Sequence, residues 1–185
     1  GDSNKIMDDY SSITGGEHNT IEILNFADTI PDTNFAPGIS HNEDLSQDKA
    51  AHAIVTAWIG GGFFNHAHGW FSCATGGFRD SAAASFSTIG CGALNVTNAP
   101  ASFAVIGGGL LNNTWGAYSS LGGGQVNMAS GIGLTYIGET IAGGVLNRTL
   151  DHVATIGGGR RNFADGFAST ISGGEGNRAL LDFNT

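Results

Sequence analysis

His66-Ala67-His68 places two imidazoles at the spacing that puts side chains on one face of a strand. His52 and His68 both stand three residues after a position of the repeat described below, so they come into register. Together His52, His66 and His68 could ligate Zn²⁺ or Cu²⁺, although no supporting carboxylate accompanies them. Glu43, Asp44 and Asp48 form a carboxylate cluster that could take Ca²⁺ but better suits a solvated acidic loop. Asn95-Val96-Thr97, Asn112-Asn113-Thr114 and Asn147-Arg148-Thr149 are glycosylation sequons, usable only if those asparagines face outward. Cys73 and Cys91 make no CxxC pair and suit small buried thiols. There is no Gly-x-Ser-x-Gly elbow, no P-loop and no His-Glu-x-x-His. Solenoid glycosidases pair carboxylates on one face, yet residues 81–138 contain no Asp, Glu, Lys, Arg or His. The sequence therefore predicts no catalytic residue, no resident cofactor and a protein that is not an enzyme.

What positions these residues is a repeat. Ile106-Gly107-Gly108-Gly109-Leu110-Leu111-Asn112, Leu121-Gly122-Gly123-Gly124-Gln125-Val126-Asn127 and Ile156-Gly157-Gly158-Gly159-Arg160-Arg161-Asn162 are three versions of one segment. The wider pattern is Ser-x-Ile-x-Gly-Gly-x-x-Asn-x-Ala-x-Gly. Its Asn falls at Asn4, Asn19, Asn34, Asn65, Asn95, Asn112, Asn127, Asn147, Asn162 and Asn177, with Lys49 and Asp80 in two further slots. The predicted fold is an all-β parallel β-solenoid of about twelve coils of about 15 residues, running over residues 1–185 as a single unit. Residues 22–55 read as degenerate, acidic coils with irregular loops. The Ile six before each Asn faces inward, the Gly pair turns a corner, and a small Ala two after the Asn faces inward again. The asparagines themselves should form a hydrogen-bonded ladder from coil to coil. Extra residues before Asn112 and Asn147 should bulge from one edge.

Composition agrees. Gly is 31 of 185 residues and charged residues are 12%, so backbone, Ser, Thr and Asn must cover the surface. The formal charge of −9 opposes nucleic-acid binding, and no apolar run is long enough for a membrane span. A 15-residue coil has a thin core, and the charge-free stretch has the character of a buried interface, so several chains should associate. Aromatic residues gather at Trp58, Phe63, Phe64, Trp70, Phe71, Phe78 and Phe86, suited to packing between chains or to binding a sugar or partner. Gly1-Asp2-Ser3-Asn4 matches the tail of a corner motif, and Thr185 falls eight after Asn177. Both ends thus fall within a coil, which fits either an excerpt of a longer array or subunits stacked end to end.

The pattern resembles the β-roll repeats of trimeric autotransporter adhesin heads and the Gly-Gly-Gly-x-x-Asn-x-Ala-x-Gly arrays of phage tail-fibre-type proteins. That resemblance covers nearly the whole chain and is weakest over residues 22–55. It implies a structural, self-associating element, as a homo-trimer or an end-to-end filament. The element would be extracellular, on a cell surface or virion, with a host-surface glycan or protein as a further partner. Adhesin heads favour 14-residue steps where this chain favours 15. A second resemblance is to Thr-rich ice-binding coils, through Ser12, Thr88, Ser120, Thr135, Thr155 and Thr170, each eight after a ladder position. The row is broken by Ala57, Cys73 and Phe103. The alternative function is therefore a monomeric binding module, for ice or for glycans.

Overall fold

The computed structural model describes residues 3–7, 11–21, 56–131 and 138–184. Every described strand is two residues long, and no helix occurs among the described residues. Two-residue strands cannot hold a sheet by themselves, so stability must come from stacking many of them in register. Ten strands form one parallel sheet, from Lys5–Ile6 and Thr20–Ile21 through Met128–Ala129 to Arg178–Ala179. Nine form the other, from Ser12–Ile13 and Trp58–Ile59 through Val105–Ile106 to Thr170–Ile171. Sequence neighbours lie in opposite sheets, while hydrogen-bonded neighbours are one coil apart. The chain is therefore a parallel β-solenoid of about nine turns, as the period predicts.

The burial pattern follows from the alternation. In each strand of the second sheet the second residue points inward: Ile59, Ile89, Ile106, Leu121, Ile141 and Ile156 are fully buried. Opposite them stand small residues of the first sheet, Ala67, Ala82, Ala129, Ala164 and Ala179, with Thr97, Thr114 and Thr149 in three coils. Large facing small fills a gap only two sheets wide.

Six residues always separate the buried second-sheet residue from the ladder position, as in Ile59 to Asn65 or Ile156 to Asn162. That segment is the first corner. At Gly109 and Gly124 φ is +96° and +91°, and a Cβ would collide with the carbonyl of Gly124 and of Gly144 in the next coil. Only glycine fits there. Both corners also hold non-glycine residues at φ between 51° and 62°. The first corner uses Phe64, Arg79, Leu94, Leu111, Val126, Leu146 and Arg161; the second uses Phe71, Phe86, Phe103, Tyr118, Val153, Ala168 and Phe183. Left-handed backbone costs such residues roughly 1–2 kcal/mol. Gly69, Gly116 and Gly166 also border the second corner, yet none of these has positive φ. Their constraint is steric: a Cβ on Gly69 would collide with the Ala84 carbonyl.

The stack has fewer coils than the spacing of Asn residues suggests. The Asn65 amide donates to Asn19 Oδ1 at 2.9 Å, and Thr20 pairs with His66. Asn19 and Asn65 are thus adjacent rungs. The step of 46 positions between them comes close to three periods by arithmetic alone, and residues 22–55 lack the Gly pair that a first corner needs. Asn34, Lys49 and His52 lie outside the described residues. The ladder is Asn4, Asn19, Asn65, Asp80, Asn95, Asn112, Asn127, Asn147, Asn162 and Asn177, nine steps or roughly 43 Å at the usual strand spacing.

The outward row on the second sheet also shifts. In place of Ala57 and Phe103 it holds Trp58 and Val105, and Thr140 replaces Thr135, which lies outside the described residues. The extra residues before these strands displace the count from the Asn. Because the core is one residue wide at each level, Ile156→Ala should cost about 2–5 kcal/mol of unfolding free energy. Chemical denaturation of the variant beside the parent checks this.

Candidate interaction surface

The ladder consumes the chemistry of its own asparagines. Asn112 Oδ1 accepts the Asn127 N–H at 3.0 Å, and Asn127 Oδ1 accepts the Asn147 N–H at 2.9 Å. Asn112 Nδ2 donates to Gly108 O of its own coil and to Gly124 O of the next, at 2.9 and 3.0 Å. The main contact is therefore amide to backbone. Direct contacts between side-chain amides, such as Asn112 to Asn95 at 3.1 Å, are secondary. The sequon residues Asn95, Asn112 and Asn147 are all buried in this ladder. Attaching a glycan to any of them would break a rung.

The histidine placement is half as expected. His66 and His68 lie on the same strand edge with ring centroids 5.3 Å apart and planes 12° from parallel, while His52 is outside the described residues. Among the described residues no group of three or more His, Cys, Asp or Glu side chains is placed to hold a metal ion. The Glu43, Asp44 and Asp48 cluster lies outside them. The cysteines depart from the buried-thiol expectation. Cys91 is exposed in the Gly90-Cys91-Gly92 corner, and Cys73 is half-buried in the outward row, where burial pushes its thiol pKa up.

The aromatic cluster read from the sequence divides among three places. Trp58 lies on the outer side of the second sheet, Phe63, Phe64 and Phe78 at the first corner, and Phe71 and Phe86 at the second. The second-corner series extends past the expected cluster: Phe71, Phe86, Phe103 and Tyr118 stack with centroids 5.0, 4.8 and 5.0 Å apart. The two-residue insertion before Phe103 hides this alignment in the sequence.

At the first corner the left-handed positions carry Leu94, Leu111, Val126 and Leu146, with Leu110 and Val145 next to Leu111 and Leu146. Leu94, Leu110, Leu111, Val126 and Leu146 are each more than a third exposed. Charge frames this apolar run. On one side the Arg79 guanidinium lies over the rings of Phe64 and Phe78, 5.5 and 5.2 Å from their centroids. On the other, Arg160 pairs with Glu175 at 3.0 Å.

Between the two corners, the outward row of the second sheet is Ser12, Trp58, Cys73, Thr88, Val105, Ser120, Thr140, Thr155 and Thr170, without a charge. The first sheet presents Lys5, His66, Arg148 and Arg178 outward. Among the described residues the second sheet therefore presents an uncharged outward row, bordered by an aromatic series at one corner and an apolar run from Leu94 to Leu146 at the other. No protein-family model matches this chain, and no curated protein is significantly similar to it.

An apolar centre inside a charged rim is the anatomy of an interface core. The ridge contributes little to folding, because its residues stay partly exposed and occupy strained backbone. Replacing them with Asn, which tolerates left-handed φ, exchanges partial burial for relief of strain. The triple variant Leu94→Asn, Leu111→Asn, Leu146→Asn should thus keep a melting temperature within a few degrees of the parent, as read by circular dichroism.

Proposed function

We propose that this chain is a structural, non-enzymatic fibre or adhesive element that associates with further copies of itself. Adhesin heads and phage fibres are the kinds of assembly meant, and the proposed setting is extracellular, on a cell surface or virion. The observation that carries the reading is the uncharged face of the second sheet with its exposed ridge from Leu94 to Leu146. A run of large apolar side chains along a stack of regular coils matches a surface with the same regular spacing. A second copy of the chain has that spacing by construction.

The chemistry of the surface favours copies over a sugar. Stacked sugars bind the faces of aromatic rings, and in the series from Phe71 to Tyr118 the faces within the stack are covered by neighbouring rings. What remains for a partner is a strip of ring edges, suited to packing against side chains. The net charge of −9 supports a partner other than nucleic acid.

A second reading keeps one specific observation in its favour. Thr140, Thr155 and Thr170 are paired in register on consecutive strands and form a regular hydroxyl row, which suits a monomer binding ice. Trp58 and Val105 interrupt the same row further along, so association remains the leading reading.

Light scattering separates the two. The proposal expects a mass of at least two and preferably three copies of the 18.9 kDa chain. The triple Asn variant described above should move toward the single-chain mass while remaining folded. A parent that stays at one chain mass at high concentration overturns the proposal.

A further inference from the structure

One rung of the ladder is built from the wrong residue. Nine ladder positions hold Asn and the tenth holds Asp80, which is fully buried. Half of its side chain does what the Asn residues do. Oδ1 accepts the Asn95 N–H at 2.8 Å and Asn95 Nδ2 at 3.0 Å, and the Asp80 N–H donates to Asn65 Oδ1 at 3.0 Å.

The other half has lost its donor. In the neighbouring rung Asn65 Nδ2 donates to Gly61 O, four residues before it, and to Gly77 O of the next coil. Asn112, Asn127, Asn147 and Asn162 repeat both bonds. Asp80 Oδ2 occupies that same place. A Cβ built on Gly77 would meet it, just as one on Gly62 would meet Asn65 Nδ2 and one on Gly92 would meet Asn95 Nδ2. The repeat puts the carbonyls of Gly76 and Gly92 around it, and both can only accept. Oδ2 is buried and has no hydrogen-bond partner.

We propose that Asp80 is a proton-binding site of the ladder: protonated, it stands in for Asn, and ionised, it loosens the junction between the Asn65 and Asn95 rungs. With a proton on Oδ2 the carboxylic acid regains a donor for one of the two carbonyls. Without it, a buried negative oxygen faces acceptors, an arrangement that costs free energy in proportion to its desolvation.

No neighbouring charge offsets this cost. The coil below contributes Asn65 and the backbone around Gly62, with His66 and His68 on the outer side of the strand that follows. The coil above contributes Asn95, Gly92 and the exposed Cys91. Within the same coil, Arg79 is engaged over Phe64 and Phe78, and Cys73 lies in the outward row of the opposite sheet. No ion pair to Asp80 occurs among the described residues. Burial accordingly pushes its carboxyl pKa above the ordinary value, against the smaller opposing effect of the bonds from Asn95.

The sign of the linkage follows. A carboxyl with a raised folded-state pKa binds more protons folded than unfolded, so its contribution to stability is whole below the unfolded value near ~3.9. That contribution is lost as pH rises through the folded value. Carboxylates held by an ion pair or by several hydrogen bonds work the opposite way, favouring folding at higher pH.

The test compares the parent with Asp80→Asn at one protein concentration, by denaturant unfolding across a pH series from about 3 to 8. Below pH ~4 the two should differ by a constant offset. Above it the parent should lose stability relative to the variant, and the ratio of their unfolding constants should rise about tenfold for each unit by which the folded-state pKa is raised. A carbon NMR titration of the Asp80 carboxyl in the folded parent should show protonation persisting above pH ~4. A ratio that is flat with pH, or a carboxyl that titrates at or below its ordinary value, overturns the proposal.

Discussion

The structure depends on one bond repeated from coil to coil: an asparagine Oδ1 accepting the backbone N–H of the asparagine above it. A sharp corner leaves backbone groups pointing where no strand can reach them, and buried groups of that kind must be paired. Asn19, Asn65, Asn112, Asn127, Asn147 and Asn162 each answer three of them at once. In each, the oxygen takes one N–H from the next coil, and the nitrogen serves one carbonyl in its own coil and one in the next. Asn is the side chain that offers an acceptor and two donors on so short a stem. The repeat can drift in nearly every other position, including the core, where Ala74 and Leu121 stand in for Ile.

The same bond explains where the chain tolerates insertions. Steps between rungs are 15 residues except at Asn19–Asn65, Asn95–Asn112 and Asn127–Asn147, which are 46, 17 and 20. In all three the distance from the buried second-sheet residue to the next rung stays at six, so the extra residues fall at the second corner. Added length there costs only a slowly growing loop entropy. At the first corner it would shift the Asn off its carbonyls and orphan three groups.

This asymmetry also accounts for what was legible in the sequence. The first corner is written in invariant spacing, so the Asn ladder, the buried Ile and the two-sheet solenoid could all be read from it. The second corner is written in conformation. Phe71, Phe86, Phe103 and Tyr118 share φ of +54° to +61° and a common stack, but no residue type marks the place and an insertion breaks the count at Phe103. Counting from the Asn across that corner gave Ala57 and Phe103 where the sheet has Trp58 and Val105. The same arithmetic placed Asn34 and Lys49 as rungs, because 46 residues nearly equal three periods. Asp80 was visible as an exception in the ladder, yet only the position of its second oxygen reveals what the exception does.

The ridge raises a question that the ladder does not. Left-handed corner positions are where Gly or Asn would be most comfortable, and this chain uses Asn freely elsewhere. Instead Leu94, Leu111, Val126 and Leu146 occupy them, and a β-branched Val is among the least suited of all. Each such residue does recover one inter-coil bond, as when Leu111 N–H donates to Ala93 O at 2.9 Å, but Gly or Asn would make the same backbone bond. Folding alone therefore gives no reason for large apolar side chains at these sites. Their positions leave them directed away from the core, where they add exposed apolar surface and backbone strain together. Under the proposed association, a feature that opposes the fold at four positions along one edge would be compensated by the copy packed against that edge.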